Sequence, residues 1–331
     1  MEKMNKNKCL CCYQPLKDGE VHYHTACARK LFGSRHAPIL PYSRDNIDEL
    51  ALDVLKSNSS VTGVQAKLSL ELNRGGKNEA DRLTIVGLWG NYILKPQSPK
   101  YSAMPELEDV TMRMADAAGI STVPHGLIRM SDGELAYITR RIDREEDGSK
   151  HALLDMCQLT NRLTEHKYRG SYVQLAEVIR KYSSAPLLDV QRFWEIVIFS
   201  WITGNSDMHC KNFSLIENQG KGYGLAPAYD LLAVLLTGID DRDELAMPLT
   251  GNGVNDDSLI AGFDGDDFLE AMAQSGVLKN VAENIIRKFS KFRLKWFSII
   301  ESSFLTQSLQ DAYKSMIEER MKRLSCLQKN S

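Results

Sequence analysis

The chain has 331 residues, 43% of them hydrophobic and 25% charged, with a formal net charge of −2. This is ordinary globular composition, longer than one core usually supports, so two lobes are expected. The near-neutral balance argues against a general nucleic-acid binder. The absence of an apolar run of about 18 residues argues against a membrane-spanning helix.

The N-terminus carries lysines but then reaches cysteines and the Gln14-Pro15 turn rather than an apolar stretch, so it does not read as a signal peptide and a cytoplasmic location is expected. Four of the seven cysteines fall within the first 27 residues. Cys9-x-x-Cys12 is followed by His24-x-x-Cys27, and this spacing suits a tetrahedral Cys3His zinc site. Cys11 and His22 are spare candidates, and a reduced, cysteine-rich surface turn is the alternative for the same residues. A segment too short for its own core would gain from a metal staple.

Residues 46–56 have the spacing of a short amphipathic helix. A polar stretch follows, Ser57 to Lys67, opening into an alternating strand with Leu68, Leu70 and Leu72 on one face. Further strands are expected at Leu83–Val86, Asn91–Lys95, Val123–Met130 and Leu135–Arg141, the simplest assembly being a small antiparallel sheet. Glu106–Ala118 reads as a helix ended by Gly119. The charged break from Asp143 to Gly148 is the best lobe boundary, although such runs are commonly plain surface loops. This divides the chain into a Cys/His-rich segment, 1–36, a sheet-rich N-lobe, 37–147, and a helical C-lobe, 148–331. In the last, helices are expected near 153–160, 171–181, 188–203, 265–274, 278–303 and 306–325.

One motif organises the C-lobe. After the apolar run Phe193–Ile202 comes GNSDMHCKNFSL, with Asp207, His209 and Asn212, and fifteen residues further on APAYD places Asp230. Kinases of the protein-kinase type need a carboxylate to orient the attacking hydroxyl, an amide oxygen on a metal, and a second carboxylate on the metals. Their catalytic loop sets the aspartate five residues before the asparagine, the Asp207-to-Asn212 spacing. Read so, Asp207 orients the substrate hydroxyl, and Asn212 and Asp230 hold Mg2+. Lys95 reaches the ATP phosphates and Glu108 aims it. Thr62, Gly63, Val64, Gln65, Ala66 and Lys67 wrap the phosphates, and the strand end Arg140, Arg141 and Ile142 offers backbone to adenine. Each has a plainer alternative alone: an Asx turn at Asp207, a helix cap at Asp230, a surface lysine at Lys95, and a structural histidine at His209. Their agreement in chain order favours the kinase reading.

With SVTGVQAKL (60–68), YILKP (92–96), PELED (105–109), RRIDR (140–144), DMCQ (155–158), GNSDMHCKNFSL (204–215) and APAYDLL (226–232), the sequence resembles the HipA-type serine/threonine kinases, toxins of bacterial toxin–antitoxin modules. The resemblance leans to the short HipT-like branch. It implies an α+β, two-lobed protein-kinase-like fold related to the PI3/4-kinases, with ATP and Mg2+ as cofactors. It also implies nucleotide-site positions for His209 and Tyr229, and autophosphorylation at Ser60 and Thr62. Implied partners are a protein substrate such as an aminoacyl-tRNA synthetase, a helix-turn-helix antitoxin that brings DNA in only indirectly, and a separately encoded small N-terminal subunit. Arg140 stands where long family members carry an acid, and the Cys/His segment is foreign to the best-known members. A competing reading is a non-catalytic, nucleotide-binding pseudokinase acting as corepressor in an antitoxin–DNA complex. A metal-dependent nucleic-acid enzyme built on the Cys/His segment is disfavoured, because four ligands leave no open catalytic position.

Overall fold

The computed structural model describes residues 7–47, 67–76, 79–87, 89–145, 149–218, 220–251 and 262–325. The expected helix at 46–56 falls almost wholly outside these, as do Ser60, Thr62, Gly63, Val64, Gln65 and Ala66. The chain divides into two compact units, one of residues 1–110, 123–149 and 302–305, the other of residues 111–122, 150–301 and 306–331.

The first unit is built on a five-stranded antiparallel sheet in the order β2-β1-β3-β5-β4. Its strands are β1 (Leu68–Asn73), β2 (Arg82–Val86), β3 (Tyr92–Pro96), β4 (His125–Arg129) and β5 (Leu135–Arg140). The alternation seen in the sequence sets the burial of β1, where Leu68 and Leu70 are buried and Glu71 is exposed. β3 and β5 lie inside the sheet and are buried on both faces, as continuous apolar runs are. Helix α1 (Thr25–Phe32) ends on Gly33, whose left-handed φ of 69° is the usual glycine solution at that position. The Cys/His segment packs on this sheet. Leu10 accepts a backbone bond from Leu127 on β4 at 3.2 Å, and Tyr92 Oη donates to the Leu31 carbonyl at 3.1 Å. Leu10, Leu31 and Phe32 are essentially inaccessible.

Helix α2 (Met104–Ala117) begins in the first unit and ends in the second. Its buried face carries Leu107, Val110 and Met114, together with two acids, Glu108 and Asp109.

The second unit is mainly helical, with a three-stranded sheet, β6-β7-β8, of Leu153–Asp155, Ser214–Glu217 and Tyr223–Leu225. Where the sequence pattern suggests a helix over 153–160, the chain makes β6 and then a single turn, α3 (Met156–Leu159). Asp155 ends the strand and starts the turn through a reciprocal capping box with Gln158. Helices α4 (Tyr172–Tyr182), α5 (Pro186–Ile202), α6 (Gly265–Gln274), α7 (Lys279–Ser290), α8 (Arg293–Ser302) and α9 (Gln307–Ser325) follow. The long helix expected over 278–303 is broken at Lys291-Phe292, where the backbone turns through short bonds to Lys288 and Phe289. In a straight helix residues 289 and 296 would be about 10.5 Å apart along the axis. The break brings the Phe289 and Trp296 rings to 6.0 Å, with Phe199 5.4 Å from Trp296.

Helix α5 is the core of this unit. Proline occupies its first turn, and Phe193, Trp194, Val197, Ile198, Phe199, Trp201 and Ile202 are all fully buried. A helix apolar on nearly every side must be central. Its C-terminus therefore delivers the polar motif from a rigid base.

Candidate active site

At the end of α5, Gly204 turns the chain with φ 75°, and a Cβ there would meet the Met316 side chain at 2.6 Å. The left-handed φ favours glycine, while the Met316 tip is flexible enough to move aside. The segment that follows is anchored on every side. Asn205 N–H donates to Ser200 O at 2.9 Å, Ser206 Oγ donates to Asp241 at 2.5 Å, and Tyr172 Oη donates to Met208 O at 2.9 Å. Cys210 N–H donates to Lys167 O at 3.1 Å.

Asp207 is half-exposed, and Tyr168 Oη donates to its Oδ1 at 2.7 Å. Burial, followed by the charge of Asp207, pushes the Tyr168 phenol up, so it remains a protonated donor. Asn212 closes the loop, its side-chain Nδ2 donating to the Asp207 carbonyl at 2.9 Å. That bond fixes which way the amide faces and leaves Oδ1 as its acceptor or ligand atom. Asn205 ties this loop to the next: its Oδ1 accepts from Asp207 N–H at 3.3 Å and its Nδ2 donates to Asp230 O at 3.2 Å. Asp230 sits in the left-handed region, φ 59°, an unusual conformation for a residue other than glycine, and one that concentrates at functional sites.

His209 is buried against the edge of the Tyr168 ring, 5.2 Å between centroids. Its Nε2 lies 3.9 Å from Asp207 Oδ1, while its buried Nδ1 has no hydrogen-bond partner among the described residues. Burial lowers its pKa despite the opposing charge of Asp207, so the imidazole is neutral at pH 7. Tyr229 Oη shares a hydrogen bond with Ser214 Oγ at 2.6 Å and donates to Lys211 O at 3.0 Å, which braces the 210–214 turn.

In the first unit, Lys95 Nζ lies 2.5 Å from Glu108 Oε1, both side chains almost wholly buried. The Lys95 ammonium also stands 5.4 Å from the centre of the Tyr137 ring, its neighbour in register on β5. The next residue on α2, Asp109, accepts from Tyr13 Oη at 2.5 Å and bonds His125 Nδ1 at 2.7 Å. At the strand end, Arg140 and Arg141 N–H donate to Pro124 O and Asn91 O, so these two backbone donors are engaged within the unit. Arg141 grips Asp143 in a bidentate pair at 2.9 and 2.7 Å. Burial would raise the Asp143 carboxyl, but the Arg141 and Arg144 cations win and hold it below its usual range. Lys67, the last residue of the expected phosphate-wrapping loop, is exposed.

The structure thus brings together Asp207, Asn212 and Asp230 in one unit, and Lys95 and Glu108 in the other. Within the second unit the carboxylates of Asp207 and Asp230 and the Asn212 Oδ1 are hard oxygen donors of the kind that suit Mg2+. Sequence reasoning missed Tyr168, Asn205 and the Asp109–His125 pair. Asn205 lies inside the motif and could have been found there; Tyr168 sits 39 residues away in a stretch without periodicity and gives no signal.

A sheet-based unit with a buried lysine–glutamate pair, and a helical unit with a D-x-H-x-x-N loop and a following aspartate, define a kinase-like α+β protein. Residues 59–296 match the HipA-like C-terminal domain, and the chain belongs to that family. It is 27% identical to a candidate kinase of Haemophilus influenzae, over 97% of this chain and 98% of that one. It is 34% identical to the candidate kinase Y4dM of Sinorhizobium fredii and 27% identical to the serine/threonine-protein kinase toxin HipA of Shewanella oneidensis, spanning about half the length of each (49% and 47%). Among solved structures, HipA from the Shewanella oneidensis complex of HipA, HipB and operator DNA is similar at a TM-score of 0.66, with 20% identity, over 86% of this chain and 71% of that one. The Helicobacter pylori proinflammatory kinase CtkA is similar at 0.52, with 17% identity, over 77% and 93%.

Proposed function

We propose that the chain is an ATP- and Mg2+-dependent serine/threonine protein kinase, the toxin of a bacterial toxin–antitoxin module. The observation that carries this reading is the turned amide of Asn212. Its nitrogen is committed to the Asp207 carbonyl, so its oxygen is presented for coordination five residues from a half-exposed carboxylate.

In this reading Asp207 accepts the substrate hydroxyl's hydrogen bond and aligns its oxygen, with Tyr168 holding the carboxylate's rotamer. Asn212 and Asp230 hold the metal that neutralises charge on the phosphates, the electrostatic task that dominates phosphoryl transfer. Lys95, aimed by Glu108, receives the nucleotide phosphates. Neutral His209, with its buried Nδ1 lacking a partner among the described residues, is suited to accept or donate one hydrogen bond at the nucleotide site, alongside Tyr229. The loop Thr62 to Lys67 covers the phosphates, and the backbone of Arg140 to Ile142 meets the adenine through groups other than the engaged Arg140 and Arg141 N–H. The substrate is a protein of the translation apparatus, such as an aminoacyl-tRNA synthetase. The partners are a helix-turn-helix antitoxin and a separate small subunit; the similar Shewanella HipA is itself found in a complex with HipB and operator DNA. The protein works in the cytoplasm, and no described helix is long and apolar enough to cross a membrane.

The test is phosphate transfer from labelled ATP to the protein itself and to a cell lysate. Asp207→Asn should lower transfer by about 100-fold or more, the scale of losing a positioned acid–base group, while ATP·Mg2+ still raises thermal stability. Equal labelling by both proteins would overturn the assignment of Asp207. ATP binding without any transfer by the wild type would favour the corepressor pseudokinase.

A further inference from the structure

Outside the candidate active site, the densest cluster of ligand-type side chains among the described residues is at the start of the chain. Cys9 Sγ, Cys12 Sγ, His24 and Cys27 Sγ offer ligand atoms that all lie within 4.8 Å of one another. We propose that these four residues hold one tetrahedral zinc ion, and that the ion fixes the turn carrying Tyr13 and, through it, the helix that presents Glu108.

The geometry is close to what such an ion requires. Zn–S bonds of about 2.3 Å and Zn–N bonds of about 2.0 Å at tetrahedral angles separate ligand atoms by roughly 3.5–3.8 Å. Here Cys12 Sγ and Cys27 Sγ lie 3.2 and 4.0 Å from His24 Nδ1. The surroundings are also those of a metal thiolate. The backbone N–H groups of Cys11 and His24 both donate to Cys9 Sγ at 3.4 Å, bonds that stabilise negative charge on sulfur. His24 Nε2 donates to Pro15 O at 2.9 Å, which leaves Nδ1, the atom facing the thiols, with its lone pair for coordination. Cys9 and Cys12 come from one tight turn, closed by Cys9 N–H to Gln14 O at 2.9 Å and Tyr13 N–H to Cys9 O at 2.9 Å, with Tyr13 in the left-handed region. His24 and Cys27 come from the start of α1. The two spare candidates, Cys11 and His22, are not among these four, although the Cys11 thiol lies beside that of Cys27. Three thiolates and an imidazole fill a tetrahedral shell, so the ion is structural rather than catalytic.

The ion's reach follows from Tyr13. It adjoins ligand Cys12, and its hydroxyl donates to Asp109, a fully buried acid one residue from Glu108. The other Asp109 oxygen holds His125 on β4. Binding the metal fixes the turn, the turn fixes Tyr13, and Tyr13 with His125 fixes the rotation of α2 at Glu108. Tyr13 is therefore a positioning residue for the Lys95–Glu108 pair. This second half rests on the kinase reading; the metal site does not.

The test begins with full-length protein purified under reducing conditions without chelator. Elemental analysis should give one zinc per chain for wild type and for Cys11→Ser, and well under half for Cys12→Ser and Cys27→Ser. Where those two variants do not fold, wild-type protein stripped and reloaded with cobalt(II) should show the strong visible absorption of tetrahedral cobalt thiolate. No metal and no cobalt spectrum, or a disulfide among these cysteines by mass spectrometry, would overturn the site. Tyr13→Phe should retain its zinc and bind ATP·Mg2+ several-fold more weakly, with KM affected more than kcat. Unchanged affinity in a zinc-loaded Tyr13→Phe protein would overturn the positioning role. Zinc-loaded wild type that binds no ATP would instead count against the kinase reading.

Discussion

Glu106 stands at the start of α2, two residues before Glu108, and its surroundings make it a residue-scale reporter of that helix. Burial, with further push from the charges of Asp109 and Glu134, raises its carboxyl to about 7 from the ordinary 4.5. A raised folded-state pKa means that the folded protein holds the proton more tightly than the unfolded chain does. The favourable contribution is then complete below about 4.5 and is lost as pH rises through about 7. Denaturant titrations at pH 5, 6, 7 and 8 should show wild type losing stability relative to Glu106→Gln, the gap widening with pH. Parallel curves for the two proteins would refute the assignment. His209 carries the opposite sign, because burial lowers its pKa and protonation in acid is what the folded state resists.

At the scale of elements, the buried Lys95–Glu108 ion pair joins β3 to α2. Removing one partner of such a pair leaves an unpaired charge and costs about 3–5 kcal/mol, whereas replacing both with apolar groups is often near neutral. Glu108→Leu should therefore lower the denaturation midpoint markedly, and Lys95→Met combined with Glu108→Leu should recover most of the loss without restoring transfer. A double variant no more stable than the single would show that the pair contributes through neighbours other than each other. These elements were legible in the sequence to different degrees. β1 announced itself by alternation, α6 by its helical pattern over 265–274, and the Asp207–Asn212 loop by spacing. The break at Lys291-Phe292 was not legible, because its cause is tertiary: Phe199 of α5, Phe289 of α7 and Phe292 of the break itself meet Trp296 of α8. The strands β7 and β8 are short and were lost for the same reason, their pairing being long-range. Tyr168 reaches Asp207 by the fold alone.

At the scale of the molecule, the loop from Ser60 to Lys67 is where the family resemblance and the electrostatics of the proposed site meet. Ser60 and Thr62 are the hydroxyls that the resemblance marks for autophosphorylation; Thr62 opens the stretch proposed to cover the nucleotide phosphates and Ser60 lies two residues before it. A phosphate on either adds about −1.5 to −2 charges near pH 7, beside a ligand that is itself polyanionic. Like charges repel, so on the proposed reading the modified protein should bind ATP·Mg2+ more weakly. Ligand binding stabilises the folded state by RT ln(1 + [L]/Kd), so the effect is readable as a smaller thermal shift at fixed nucleotide concentration. Protein phosphorylated by prolonged incubation with ATP and then desalted should show a reduced shift. Ser60→Ala/Thr62→Ala, treated in the same way, should keep the full one. Phosphatase treatment should restore the wild type. An equal shift in the phosphorylated and doubly substituted proteins would remove the loop as a regulator. The catalytic reading of Asp207 would still stand, since that rests on the helical unit and on transfer itself.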